Sequence, residues 1–184
     1  MEPLLPSPIT FLPVDLYRWD NSPAGDALVV PVWVDIRPLR GASGLLDWRL
    51  CGRISQMIRD GRVLGTLDEK LLLVTSRIPW RKVLAVGVGE SRAFCEAAFR
   101  DSISCFLNAL HGLGAGSIAI ALPGRDIDLI RPERALRDFA DVLEQNQEQA
   151  GPWLSHLTII DTPAAAKAIA EASRSLAPRP TAAK

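Results

Sequence analysis

Apolar residues along this chain fall into runs of two kinds. Residues 27–34 (ALVVPVWV), 70–75 (KLLLVT), 82–88 (KVLAVGV), 117–122 (SIAIAL) and 157–160 (LTII) are short, nearly continuous and rich in Val, Ile and Leu. Such runs suit strands buried on both faces of a sheet. Residues 9–19 (ITFLPVDLYRW) read as a further strand, weakened by Pro13. Pro31 inside the 27–34 run has no N–H to give a ladder, which predicts an edge position or a bulge there. Between these runs the apolar spacing changes to three and four. Leu50, Ile54, Met57 and Ile58 predict a helix over 47–60, with Asp47 as its cap and Gly61 as its stop. Phe99, Ile103, Phe106, Leu107 and Leu110 predict a helix over 92–111, capped by Ser91. Leu136, Phe139, Ala140 and Leu143 predict one over 132–148, with Pro132 in its first turn. An alanine-rich stretch from Thr162–Pro163 to about Leu176 reads as a last helix. Strand, helix, strand, helix, strand, helix is the order of an α/β domain with helices on both faces of a parallel or mixed sheet.

The chain has 184 residues, a length that fits one domain. Residues 1–8 read as a flexible start, 9–176 as the domain, and 177–184 (APRPTAAK) as a disordered tail. Twenty-one basic side chains balance 21 acidic ones. No global field therefore draws the protein to nucleic acid or to a membrane. Three Cys and two His are too few for a disulfide scaffold or a Cys/His zinc cluster. No signal-like start or membrane-length apolar run is visible, so a cytoplasmic protein is expected.

Charge is uneven, however. Residues 37–82 sum to +6, mainly through Arg37, Arg40, Arg49, Arg53, Arg59 and Arg62. These arginines either solvate one helix and its loops or form an anion-binding face. Two glycine segments occupy places where α/β sheets collect ligands. One is RPLRGASG, with Gly41 and Gly44, after the strand at 27–34. The other is GVGES at 87–91, where Gly87, Gly89, Ser91 and Arg92 would meet a phosphate at a helix start. The plainer alternative is a tight turn followed by an ordinary serine cap. Neither His111 nor His156 neighbours a nucleophile in sequence, and GASG lacks the GxSxG elbow. Cys51 and Cys95 are expected to be buried and inert, Cys105 partly exposed. Asp126 and Asp128 read as turn and capping residues. Trp48, Trp80 and Trp153 lie in connectors, either as lids on the core or as partner contacts.

DALVVPVWVD at 26–35, LLDWRLCGRISQMIRDGRVLG at 45–65, KLLLVTS at 70–76 and KVLAVGVGESRAFCEAAFRDSI at 82–103 follow one another in this order. Together they resemble the N-terminal domain of the leucyl (cytosol) aminopeptidase family, whose VGLG-before-helix signature reads VGVG here at 86–89. The resemblance covers roughly residues 10–176. It implies a macro-domain-like three-layer α/β/α sandwich with a mixed sheet. In that family catalysis belongs to a separate C-terminal domain with two metal ions and an NTDAEGR-like string, which this sequence lacks. No catalytic residue, metal ligand or cofactor is therefore implied. The expected role is a non-catalytic regulatory or interaction module whose partner is a protein, either a second copy or another chain. The alternatives are a macro-type binder of ADP-ribose or a related phosphate, and nucleic-acid binding through the arginine block at 37–62. Macro domains that bind ADP-ribose carry asparagines after the second strand, where this chain reads VVPVWVDIRP.

Overall fold

The computed structural model describes residues 9–146 and 153–165. Expectations for residues 1–8, for the helix end at 147–148, for the alanine-rich helix beyond 165 and for the tail at 177–184 lie outside those residues. In chain order the elements are β1 (Ile9–Pro13), α1 (Leu16–Asp20), β2 (Gly25–Val32), α2 (Gly41–Arg49), α3 (Arg53–Arg59), β3 (Lys70–Val74), β4 (Trp80–Gly87), α4 (Glu96–Gly112), β5 (Ser117–Ala121), α5 (Pro132–Gln145) and β6 (His156–Asp161). The strands form one mixed sheet in the order β1-β6-β5-β2-β4-β3. Among the described residues only the β3–β4 pair is antiparallel.

Strand alternation divides the core in two. Ala27 and Val29 of β2, Leu84 and Val86 of β4, and Ile118 and Ile120 of β5 face α4 and α5. There they meet Phe99, Ile103, Phe106, Leu136 and Phe139, all fully buried. The intervening residues Leu28, Val30, Val83, Ala85, Ala119 and Ala121 face the other way, onto Trp19, Leu46 and Ile54. Successive side chains in a strand point to opposite faces, so apolar runs without polar gaps require cover on both sides. The result is three layers.

Several local expectations are corrected. The first strand stops at Pro13. The carboxylate of Asp15 then accepts the Arg18 amide at 2.8 Å and caps α1. Pro31 lies in a central strand, not at an edge. The ladder to β5 ends at Val29, two residues earlier, so the missing N–H breaks no pair there. The Pro31 carbonyl accepts the Ser43 hydroxyl at 2.6 Å. The helix expected over 47–60 is two helices. Cys51 (φ 59) and Gly52 (φ 76) turn the chain left-handed between them. Asp47 sits inside α2 and caps α3 instead, accepting the Ile54 amide at 2.7 Å and the Ser55 amide at 3.1 Å. The helix expected from 92 begins at Glu96, because residues 91–93 form one 3₁₀ turn. Cys51 and Cys95 are exposed, not buried. Cys105 is half-buried against Asp68, at 2.6 Å. Burial first, and that contact second, push its thiol up to about 12, so it stays protonated at neutral pH.

Candidate functional site

The chain passes from β2 to β4 on one side of the sheet and from β5 to β6 on the other. The neighbours β2 and β5 therefore mark the topological switch point, and ligands of open α/β sheets collect beyond the carboxyl ends of such strands. Residues from β2, β5, β6 and the first turn of α2 meet there, among them Pro31, Ala121, Ile160 and Ser43. The space left between them is about 140 Å³. Small-molecule clefts usually hold about 300–1,000 Å³.

The chain's own side chains fill the rest. Arg125 forks onto Asp161, Nε to Oδ2 at 2.8 Å and Nη2 to Oδ1 at 3.2 Å, and its Nη1 donates to the Ile130 carbonyl at 2.6 Å. The two side chains are 8% and 4% exposed. The Thr162 amide donates to Asp161 Oδ1 at 2.7 Å and completes this carboxylate's shell. Beside them the buried Trp33 indole donates to Asp126 Oδ2 at 2.8 Å. Asp126 Oδ1 is buried without a hydrogen-bond partner among the described residues. Burial pushes the Asp126 carboxyl up to about 6, against the opposing pull of the Trp33 donor. Gly41 lies against this group. A Cβ on it would come within 2.8 Å of the Asp126 Cβ, and its φ of +53° is one that glycine accepts freely.

The proposed phosphate residues are placed as follows. Gly41 and Gly44 are helical residues of α2, not a loop, and a Cβ at Gly44 would meet the Leu39 carbonyl at 2.5 Å. Gly87, Gly89 and Ser91 do share one turn, but their donors are engaged. The Gly87 amide donates to Glu69, that of Val88 to Val32 and that of Gly89 to Gly65. The Ser91 amide and hydroxyl both reach Asp35, at 2.9 and 2.7 Å, and hold that carboxyl below the usual range. Arg92 is exposed and pairs with Glu90. These bonds tie the turn to Val32, Asp35, Gly65 and Glu69. The turn closes the end of β4.

The arginine block is divided. Arg37 donates to the Trp33 and Ile36 carbonyls. Arg49 forks onto Asp20 and reaches the Arg77 carbonyl. Arg40, Arg53, Arg59 and Arg62 are exposed to solvent. Arg125, Asp126 and Trp33 escaped sequence reasoning. The usable signal was PGRD immediately after the strand at 117–122, which puts two charges at the carboxyl end of a parallel strand.

A larger hollow lies on the α2–α3 side. It measures about 850 Å³ and is open along one side, between Leu39, Trp48, Cys51 and Arg77. Trp48 is 69% exposed at its rim. Of the tryptophans expected in connectors, Trp48 lies in α2 and Trp80 opens β4, buried edge-on against Trp19, while Trp153 stacks on His111.

Residues 29–150 match the model of the cytosol aminopeptidase family, N-terminal domain. A probable cytosol aminopeptidase of Nitrosomonas eutropha is 27% identical over 159 residues, which is 80% of this chain and 32% of that protein. This chain thus spans about a third of that relative's length. Among solved structures, a macrodomain of Trypanosoma brucei in complex with ADP superposes with a TM-score of 0.69 at 16% identity, covering 94% of this chain and 74% of that one. A leucine aminopeptidase of tomato gives 0.60 at 17% identity, covering 94% and 37%. The fold is that of a macrodomain. No helix among the described residues is long and apolar enough to cross a membrane.

Proposed function

The chain belongs to the cytosol aminopeptidase family through its N-terminal domain, and from that premise we propose that it acts as a non-catalytic interaction module. The observation that carries this reading is the contrast between its two hollows. The strand-end crevice, where this fold class binds small molecules, is filled by the Arg125–Asp161 fork and by Trp33 with Asp126. The open groove presents Trp48 instead, beside an arginine, Arg77, that has no carboxylate partner among the described residues. Aromatic and arginine side chains are the types enriched at the centres of protein interfaces. An apolar anchor on Trp48 flanked by a carboxylate for Arg77 is the chemistry a partner would bring.

The fold likeness to a macrodomain that holds ADP motivates the competing reading, a phosphate-bearing ligand at the strand ends. Two measurements separate them. Affinity capture from the source cells, compared between the unaltered chain and Trp48→Ala, is expected to retain a partner only on the former. Equal capture by both would sink the groove. Calorimetry with ADP-ribose is expected to show no heat at about 1 mM ligand. Micromolar binding would replace this reading with the macro-type one.

A further inference from the structure

A third hollow lies at the opposite end of the sheet from the crevice. Trp80, Ser117 and His156 are the first residues of β4, β5 and β6. With Thr10, Leu12 and the end of α1 they line a space of about 420 Å³, within the range of about 300–1,000 Å³ usual for small-molecule clefts. Where helices cover this face of the sheet it is apolar, through Leu28, Val30, Val83 and Ala119. Here it turns polar. Thr10 lies beside Thr158, and Ser117 beside His156, in the registers of β1 with β6 and of β5 with β6. Thr10 Oγ1 and His156 Nε2 bond to each other at 3.3 Å. Thr158 is 8% exposed, yet its hydroxyl makes no hydrogen bond among the described residues. Trp80 is 3% exposed, and its indole N–H makes none either. Buried groups of these kinds normally find a partner. Neither atom is sealed in, because among the described residues the one side-chain polar atom closed off without a partner is Asp126 Oδ1. Both therefore open onto the hollow that their residues line. Gly25 makes room for the indole edge: a Cβ there would stand 2.7 Å from Trp80 Nε1.

We propose that this hollow binds a small monocarboxylate with an apolar body. The carboxylate takes the unused donors, Thr158 Oγ1, Trp80 Nε1 and the Ser117 hydroxyl, and the body lies against Leu12, Tyr17 and Pro23. An ionised carboxyl group has about four lone-pair sites and accepts from several donors at once, so one group satisfies both orphaned side chains. The sign of the charge follows from the lining. Among the described residues it holds no Asp or Glu and a single guanidinium, that of Arg18. That guanidinium pairs with no carboxylate among the described residues, since Asp15 takes only the Arg18 amide. The neighbouring acid, Asp26, does not line the hollow, and its Oδ2 accepts the Gly116 and Ser117 amides at 2.9 and 2.8 Å. One guanidinium balances one negative charge, which favours a carboxylate over a phosphate dianion. The inference does not rest on the Trp48 groove, which has a separate lining.

Titration of the full, nitrogen-labelled chain with hydrocinnamate, followed through the indole N–H resonances, tests this. The Trp80 signal, identified by its loss in Trp80→Phe, is expected to shift saturably with Kd on the order of 0.1–1 mM. The neutral amide of the same acid, and inorganic phosphate, are each expected to bind at least about tenfold more weakly. Thr158→Val keeps the shape of the side chain and removes the hydroxyl; it is expected to weaken hydrocinnamate at least about tenfold. Arg18→Gln, at an exposed position, is expected to weaken it about threefold to tenfold and keeps the test valid if the valine variant does not fold. A Trp80 signal unmoved up to about 10 mM, amide or phosphate binding as strong as that of the acid, or an affinity unchanged in both variants overturns the proposal. Trp48→Ala is expected to bind hydrocinnamate as the unaltered chain does, which separates failure of the groove from failure of this site.

Discussion

The crevice at the strand ends and the groove beside α2 treat their side chains in opposite ways. Both are bounded by the same helix, α2. In the crevice, polar groups are desolvated and turned on one another: Arg125 on Asp161, Trp33 on Asp126. In the groove, a large aromatic ring is left in water. Burying a charge costs several kcal/mol unless it is paired, whereas an exposed ring costs little by comparison. The first region is therefore committed to the fold, and the second is free to be committed to something else.

The sharpest way to break this contrast is to remove one partner of the fork. Arg125→Ala leaves the Asp161 carboxylate buried without its guanidinium and is expected to cost about 3–5 kcal/mol, read by urea unfolding. A loss below about 1 kcal/mol would mean that water already reaches the crevice. Next comes Asp126, whose carboxyl is raised by burial to about 6. The native state then holds a proton that the unfolded chain releases near pH 4, so stability falls as pH rises from about 4 through about 6. Asp126→Asn keeps an oxygen for the Trp33 indole and loses this penalty. It is expected to stabilise the protein by about 1–3 kcal/mol at pH 8 and by little at pH 4. Equal effects at both values would deny the buried carboxylate. The smallest effect is expected from Trp48→Ala, within about 0.5 kcal/mol of the unaltered chain. A larger loss would make Trp48 part of the core and not a contact in waiting.

The parts legible in the sequence are those that depend on local pattern. The Val-rich run of β2, the Ile–Ala–Ile of β5 and the Phe–Ile–Phe–Leu stripe of α4 each specify their own burial, whatever lies beyond them. Gly52 fell inside an apolar periodicity that fits one helix as well as two, so the left-handed break at Cys51 and Gly52 was invisible. Ser91 looked like a cap because serine caps are common. Its actual partner, Asp35, comes from a distant loop that only the parallel pairing of β2 and β4 brings alongside. The partners of Arg125 and Asp126 were unreadable for the same reason. Nothing near them in sequence announces Trp33 or Asp161, and they become a crevice only once β2, β5 and β6 lie side by side.

The placement of β1 bears on how the chain assembles. Among the described residues its only neighbour in the sheet is β6, some 148 residues further along the chain. Of these six strands β1 is made before the others and must wait for β6, made after them, while β3 with β4, and then β2 with β4, can already dock. Closing so long a loop is slow compared with local pairing. In the interval Ile9 and Phe11, which face one core layer, and Leu12, which faces the other, lack their strand partner, so the sheet closes last at the strand made first.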